Sequence, residues 1–302
     1  MLNMSMNISP SVAGKVSLVI GSGSVKCAAA IGVVKALTND GVGIDRVVGC
    51  SAGSIIGALV AMGFSPDKVQ QIGAHLMAKE VTSQRNIMGR LQALAPRLFG
   101  FSANKFSLCD DKNLMSRLHQ YFGKMKIEDM PIPLHITATD FSNGELVEMS
   151  SGNLVEAIRA SIALPYIFTP VRREGQLLID GYLADPLPVS VAMKHGAGVI
   201  VAVGFESVYQ ERIASVDRYA FQLSSILSNN LLKSRLAFHS IAHHAEVLTI
   251  IPEFKQRIRL FDIAKIPYIV DEGERAAIEQ MPYLRQLLTE QHGQAVSQPM
   301  KI

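Results

Sequence analysis

Apolar residues in this chain come in short blocks separated by glycine-rich or polar turns, and the period changes from block to block. Val16-Ser17-Leu18-Val19-Ile20 is a nearly continuous apolar run of strand length, the pattern of a strand covered on both faces. Gly21-Ser22-Gly23-Ser24-Val25-Lys26 interrupts it; a helix then fits Cys27 to Leu37 and is stopped by Asn39-Asp40-Gly41. Ile44 to Cys50 predicts a second strand, and the small and apolar residues that follow predict a helix ending at Gly63. Ser65-Pro66 opens the next helix, with Val69, Ile72, Leu76 and Met77 on one face.

Farther along, Leu134 to Ala138 alternates as a strand that ends in Asp140, and Asn143-Gly144 predicts a tight hairpin into Glu145–Met149. Asn153 caps a helix through Ile162, with Glu156 in capping-box position. Phe168–Val171 and Leu177–Ile179 read as a second hairpin around a polar turn at Arg172 to Gln176, the latter strand ending in Asp180-Gly181. A helix from Pro188 to Gly196, with His195 serving its dipole, precedes a buried strand at Val199–Val203. A long helical region (217–245), a strand at Val247–Ile251 and an amphipathic helix at Glu274–Leu288 complete the pattern. Strands and helices in this order suit an α/β domain.

One stretch fits less simply. Ile87, Met88, Leu91, Leu94, Ala95, Leu98 and Phe99 share a helical stripe that Pro96 should kink. Between Glu80 and Asp110 the charged residues are Arg85, Arg90, Arg97 and Lys105, without an acid. The stripe reads first as a helix packed on the core; its purely cationic flank also suits an interfacial lid.

Composition narrows the class. The 302 residues are 48% hydrophobic and 18% charged, enough apolar surface for one large core. A net charge of +3 without basic runs argues against nucleic acid. Cys27, Cys50 and Cys109 have neither disulfide nor C-x-x-C spacing, which predicts a reducing, cytoplasmic setting. Residues 1–14 read as a flexible leader without a signal-peptide pattern, and 15–302 as one domain, with a catalytic core at about 16–203 and a helical part at 205–302. Val47 to Phe64 is uncharged and nearly of bilayer length, but its Gly, Ser and Ala content and its strand-to-helix break predict a buried elbow. His239, His243 and His244 have helical metal spacing, yet no H-E-x-x-H pattern or carboxylate pair accompanies them, so no metal is expected.

The chemistry concentrates at Val47-Val48-Gly49-Cys50-Ser51-Ala52-Gly53-Ser54. Gly-x-Ser-x-Gly between a strand and a helix is the pattern of a nucleophile elbow. A serine at such an apex takes a strained backbone, and neighbouring strands crowd the positions two residues away, so Gly49 and Gly53 are expected beside Ser51. The Ala52 amide, at the start of the helix, can donate to a developing oxyanion. Gly21 to Lys26 is a second strand–turn–helix site. It lacks the third glycine of a dinucleotide loop and the Gly-Lys-Ser/Thr of a Walker loop, while amides at Gly23 and Ser24 suit an oxyanion hole; a plain glycine turn remains open. Asp140 and Asp180 both end strands and both suit the base, and histidines after Asp180 leave a Ser-Asp-His order open, although Ser51 follows too few strands for an α/β-hydrolase.

Together, Gly21-Ser22-Gly23-Ser24-Val25-Lys26 with Ile31-Gly32-Val33, Gly49-Cys50-Ser51-Ala52-Gly53, and Asp180-Gly181-Tyr182 resemble three ordered motifs of the patatin-like phospholipase family, especially its small bacterial members. Ala138-Thr139-Asp140 and Ala160-Ser161 to Pro165 also look like family positions. The resemblance runs from about Val16 to Val203 and more faintly beyond. It implies a three-layer α/β/α sandwich around a mostly parallel sheet, and a Ser51–Asp180 dyad without histidine. It further implies an oxyanion hole at Gly23, Ser24, Val25 and Ala52, supported by Gly21, Lys26, Gly49, Gly53 and Gly181. The expected activity is acyl-ester hydrolysis of phospholipids or lysophospholipids, without cofactor and with peripheral membrane contact. Acyl transfer, or a lipid- or nucleotide-sensing member of the fold, is the alternative. Ser24 and Cys27 stand where the family usually has glycine, and Tyr182 where it has a small residue, so a narrowed loop and a partly filled acyl entrance are expected.

Overall fold

The computed structural model describes residues 14–78, 84–207, 209, 212–214, 216–241, 246–260 and 262–297. The leader expected before Gly14, and His243 and His244, lie outside the described residues, as does the side chain of His239. From the amino end, β1 (Lys15–Ile20) runs into a 3-10 turn (Ser24–Ala28) and α1 (Ala29–Asn39). β2 (Gly43–Cys50), α2 (Ala52–Ala61) and α3 (Pro66–Leu76) follow. Next come β3 (Gln84–Arg85), α4 (Ile87–Leu94), α5 (Pro96–Phe99), β4 (Cys109–Asp110) and α6 (Lys112–Phe122). β5 (Leu134–Asp140), β6 (Leu146–Met149), α7 (Leu154–Ser161), β7 (Val171–Arg173) and β8 (Gln176–Asp180) form the middle of the chain. α8 (Val189–Lys194), β9 (Val199–Val203), α9 (Val216–Ile241), β10 (Glu246–Ile250) and α10 (Ile266–Ser297) complete it.

The main sheet has the order β10-β9-β1-β2-β5-β8-β7, with β6 also on β5. The five strands from β10 to β5 are parallel, while β6 and β8 run antiparallel to β5. Alternate residues of the central strands feed two separate cores. Leu18, Ile20, Val47 and Val201 pack with the helices of one layer, and Val19, Val48, Ile200 and Ala202 pack with Val191 of α8 and Leu232 of α9 in the other. The period of two along a strand thus makes a three-layer α/β/α sandwich.

α1 and α10 cross at glycines. A Cβ at Gly32 would lie 2.0 Å from the Val270 carbonyl, and one at Gly273 would lie 2.0 Å from that of Ala29. This contact, with Lys35–Glu274 at 2.7 Å, anchors the C-terminal helix behind the first one. α10 reaches well beyond the expected Glu274–Leu288 in both directions, because Ile266, Ile269 and Val270 extend its buried face toward the amino end.

Other differences are local. The first helix begins as a 3-10 turn, with Ser24 at φ 52°, before becoming α-helical at Ala29. The second hairpin turns tightly at Glu174-Gly175, both at positive φ, so its polar flanks Arg172, Arg173 and Gln176 join the strands. The largest correction concerns the stripe at residues 87–99. Pro96 does divide it into two helices, but the structure does not fold them onto the core: Ile87, Leu94 and Leu98 are 74%, 83% and 82% exposed. Gly89 explains the outward face. Only its bare Cα fits against the Ser107 carbonyl, 1.7 Å from where a Cβ would sit, and Asn86 binds Ser107, so the glycine side of the helix is the one held inward.

Candidate active site

β2 and β8 approach β5 from opposite directions. β2 pairs with β5 as far as Cys50 opposite Thr137, and β8, running the other way, ends at the next position, Asp180 opposite Ala138. The residues just past each carboxyl end are therefore brought together, and these are Ser51 and Asp180-Gly181. Gly181 tolerates the approach because any Cβ would meet the Thr137 carbonyl at 2.6 Å.

Ser51 turns the chain at φ 55° and ψ −131°, outside the comfortable region for a side chain. Gly49 and Gly53 make room: a Cβ at the first would lie 2.6 Å from Ser54 Cα, and at the second 2.5 Å from the Ile20 carbonyl. The Ser51 amide donates to Ser161 Oγ at 2.8 Å, and Ser54 Oγ donates to the Ser51 carbonyl at 2.6 Å, fixing the elbow from two sides. With the backbone so held, Ser51 Oγ donates to Asp180 Oδ2 at 2.7 Å.

Asp180 is 1% exposed. Burial is the main influence on it and pushes its pKa up to about 7, against hydrogen bonds from Ser51 Oγ and from the Tyr182 amide, which donates to Oδ1 at 3.1 Å. Thr139 Oγ1 donates to the Asp180 carbonyl at 2.8 Å, so the loop is tied to β5 as well. Asp140 faces elsewhere. Its carboxylate accepts from the Ser142 amide within the first hairpin and from Gln176 Nε2, tying that hairpin to β8.

The glycine loop runs beside the elbow, since a Cβ on Gly53 would also lie 2.6 Å from the Gly21 carbonyl. The Gly21 and Ser22 amides donate to Val203 and Pro186 carbonyls. The first bond of the 3-10 turn runs from the Lys26 amide to the Gly23 carbonyl, leaving the amides of Ser24 and Val25 ahead of any helical partner. Gly23 lies against the Phe205 ring, 2.5 Å from where a Cβ would stand. Ser24 at positive φ pays for its side chain with strain, and its hydroxyl donates to the Leu260 carbonyl. Lys26 Nζ donates to the Glu206 carbonyl at 2.7 Å and lies over Phe254; its burial lowers its pKa. Ala52 and Gly53 supply the first amides of α2, where the helix dipole is positive. Tyr182 extends from the site to α9, its hydroxyl bonded to Ser224 Oγ.

At this point the comparisons with known proteins bear on the geometry. A family model described as patatin-like phospholipase matches residues 18–193. The chain belongs to the patatin-like phospholipase family. An uncharacterized NTE family protein of Mycobacterium tuberculosis is 34% identical over 189 residues, covering 63% of this chain and 48% of that protein. Patatin-like phospholipase domain-containing protein 6 of Mus musculus is 32% identical over 190 residues, and Lysophospholipase NTE1 of Meyerozyma guilliermondii 32% over 194. The match covers 62% and 64% of this chain but 13% of each of those two longer proteins.

Two further groups of side chains complete the patatin-like core. Arg159, 4% exposed on α7, donates to Asp111 Oδ2 at 2.6 Å and to the Thr169 carbonyl, holding the end of the helix that carries Ser161. His135, Glu148 and His195 converge near the far end of β5 and are, among the described residues, a group able to face a metal. Their protons argue otherwise. Arg46 only donates, so His135 Nε2 accepts from it at 2.8 Å and Nδ1 carries the proton given to Glu148 at 2.8 Å. His195 and Lys194 also bind Glu148, and this company of donors holds its carboxyl well below the usual range despite burial. His195, expected to serve only its helix end, is part of this network.

The motifs give Ser161 and Arg159 no role of their own. Ser161 lies within a stretch that looks like the family's, but its contact with Ser51 spans 110 positions and leaves no local pattern.

Proposed function

We propose that this patatin-like chain is a serine acyl-ester hydrolase of lipids that works through Ser51 and Asp180, as a phospholipase A or lysophospholipase. The observation that carries the reading is the 2.7 Å bond from Ser51 Oγ to a carboxylate buried enough to titrate near 7. An ordinary aspartate is too weak a base at neutral pH; one at about 7 has its proton affinity matched to the task. Asp180 takes the hydroxyl proton as Ser51 Oγ bonds to the ester carbonyl carbon, and the carbonyl oxygen becomes an oxyanion. Amides of Gly23, Ser24, Val25 and Ala52 receive that charge. The proton passes from Asp180 to the departing alcohol as the carbon–oxygen bond breaks. Water then repeats the sequence on the acyl-serine and releases the fatty acid.

Lipid as substrate is supported by the names of the longer relatives and by the exposed apolar residues near the site. The free cysteines suit the cytoplasm, and no helix among the described residues is long and apolar enough to cross a membrane, which together favour peripheral attachment from the cytoplasmic side. A fluorophosphonate label should mark Ser51, and Ser51→Ala should lose both label and hydrolysis of a p-nitrophenyl ester. Wild-type turnover in that variant would reject the mechanism. A hydrolytically silent wild type would instead favour a sensing role.

A further inference from the structure

Two helical segments on the rim of the site turn large apolar residues outward. On α9 the inward residues are Ser225, Ser228 and Asn229 with Leu232, and Asn229 makes paired hydrogen bonds to the backbone of Ser207 at 2.7 and 2.9 Å. Its large apolar residues Tyr219, Leu223, Ile226 and Leu227 face outward. On α4 and α5 the inward contacts are Gly89 and the Asn86–Ser107 bond, while Ile87, Leu94 and Leu98 face outward. A water-facing helix keeps such residues inward, and two separate exposed apolar faces mark a surface whose working environment is apolar.

Both segments are tied to the loop that carries Asp180. Tyr182, whose amide binds Asp180, bonds to Ser224 of α9. On the other side the Asp180 amide donates to the Ala163 carbonyl, and nearby Tyr166 receives the Leu108 amide and an edge-on contact from Phe106, whose ring meets Phe101. Tyr166, Leu183 and Phe101 are themselves exposed and apolar between the two arms. Charge selects the occupant. The segment around α4 and α5 carries Arg90, Arg97 and Lys105 without an acid, and α9 has no charged residue between Arg218 and Lys233. A protein partner has no need of so one-sided a frame, whereas an anionic bilayer offers hydrocarbon for the apolar tips and phosphate for the cations.

We propose that α4–α5 and α9 form a two-armed docking surface for anionic bilayers, seated astride Tyr182 so that the mouth of the site meets the lipid. The inference rests on the hydrolase reading only for its purpose, because docking itself needs no turnover. Vesicles of phosphatidylcholine, with and without phosphatidylserine, are sedimented with the protein at low salt. Leu94→Glu with Leu98→Glu, and separately Leu223→Glu with Leu227→Glu, should each weaken binding by tenfold or more. Arg90→Glu, Arg97→Glu and Lys105→Glu together should weaken binding to the serine-lipid vesicles by at least about a hundredfold, from about fivefold per cation, and more weakly in high salt. All three variants should keep wild-type hydrolysis of a soluble ester, which also reports that they fold. Ser51→Ala should bind vesicles as wild type does, so loss of catalysis and loss of docking are read apart. Unchanged binding in either leucine pair overturns the two-armed surface. Absence of vesicle binding together with a dimer that the leucine pairs dissociate overturns it in favour of self-association.

Discussion

Asp180→Asn should abolish hydrolysis and, above neutral pH, make the protein more stable. The buried carboxyl has its pKa raised from 3.8 to about 7, burial being the dominant cause. The folded protein therefore holds a proton there that the unfolded chain gives up at lower pH. The native state has its full stability below about pH 3.8, loses it progressively as pH rises, and has lost all of this contribution above about pH 7. A displacement of about three units amounts to roughly 4 kcal/mol when complete, an upper bound for one side chain. More than half of it falls between pH 5 and pH 8. Asparagine keeps an acceptor for the Tyr182 amide and never ionises, so it escapes this loss. Urea unfolding of wild type and Asp180→Asn at both pH values isolates the effect, because other titrating groups cancel in the difference. The variant's advantage should grow by about 2 kcal/mol or more from pH 5 to pH 8. In wild type, kcat/KM for a soluble ester should rise about tenfold from pH 6 to pH 8 as Asp180 ionises. A stability difference that does not change with pH, or a rate already flat above pH 5, would show an ordinary carboxylate and remove the physical basis for a dyad.

Two further outcomes test the frame around that pair. Gly53→Ala should cost about 1–3 kcal/mol and most of the activity, because its Cβ would stand 2.5 Å from the Ile20 carbonyl and 2.6 Å from that of Gly21; a urea midpoint and ester turnover equal to wild type would contradict the packing. His135→Ala and His195→Ala should each keep turnover within a few-fold while His135→Ala lowers the thermal midpoint, since it strips Glu148 and Arg46 of a buried partner; a hundredfold rate loss with the fold intact would point to a histidine in the chemistry.

What the sequence made legible was what neighbours in the chain determine. Val16–Ile20, Asn143-Gly144 and the Ser65-Pro66 cap each carry their own signal, and each is found as a strand, a hairpin turn and a helix start. Gly-x-Ser-x-Gly announced a strained turn because the strain is local to Ser51. Asp140 and Asp180 could not be separated in this way, since both end strands. What separates them is the pairing of β2 and β8 with successive halves of β5, a contact across 129 positions. Ser161 was hidden for the same reason. The stripe at 87–99 misled because a periodic apolar face shows that a helix has two sides without saying which one meets the core; Gly89 and Asn86 decide that, through Ser107 some twenty residues away.

The departures from the family pattern gain a physical meaning from these contacts. Ser24, at φ 52° where glycine would be at ease, holds its strained turn by bonding to the Leu260 carbonyl, so the loop facing Ser51 is braced from the C-terminal part of the chain. Tyr182, where a small residue would leave the entrance open, reaches across to Ser224 and braces the Asp180 loop against α9. Arg235 of the same helix stands 3.6 Å from buried Asp185, beside the Pro186 carbonyl that receives the Ser22 amide. Tyr182 and the Arg235–Asp185 pair thus tie the aspartate loop to α9, while the glycine loop is braced from Leu260.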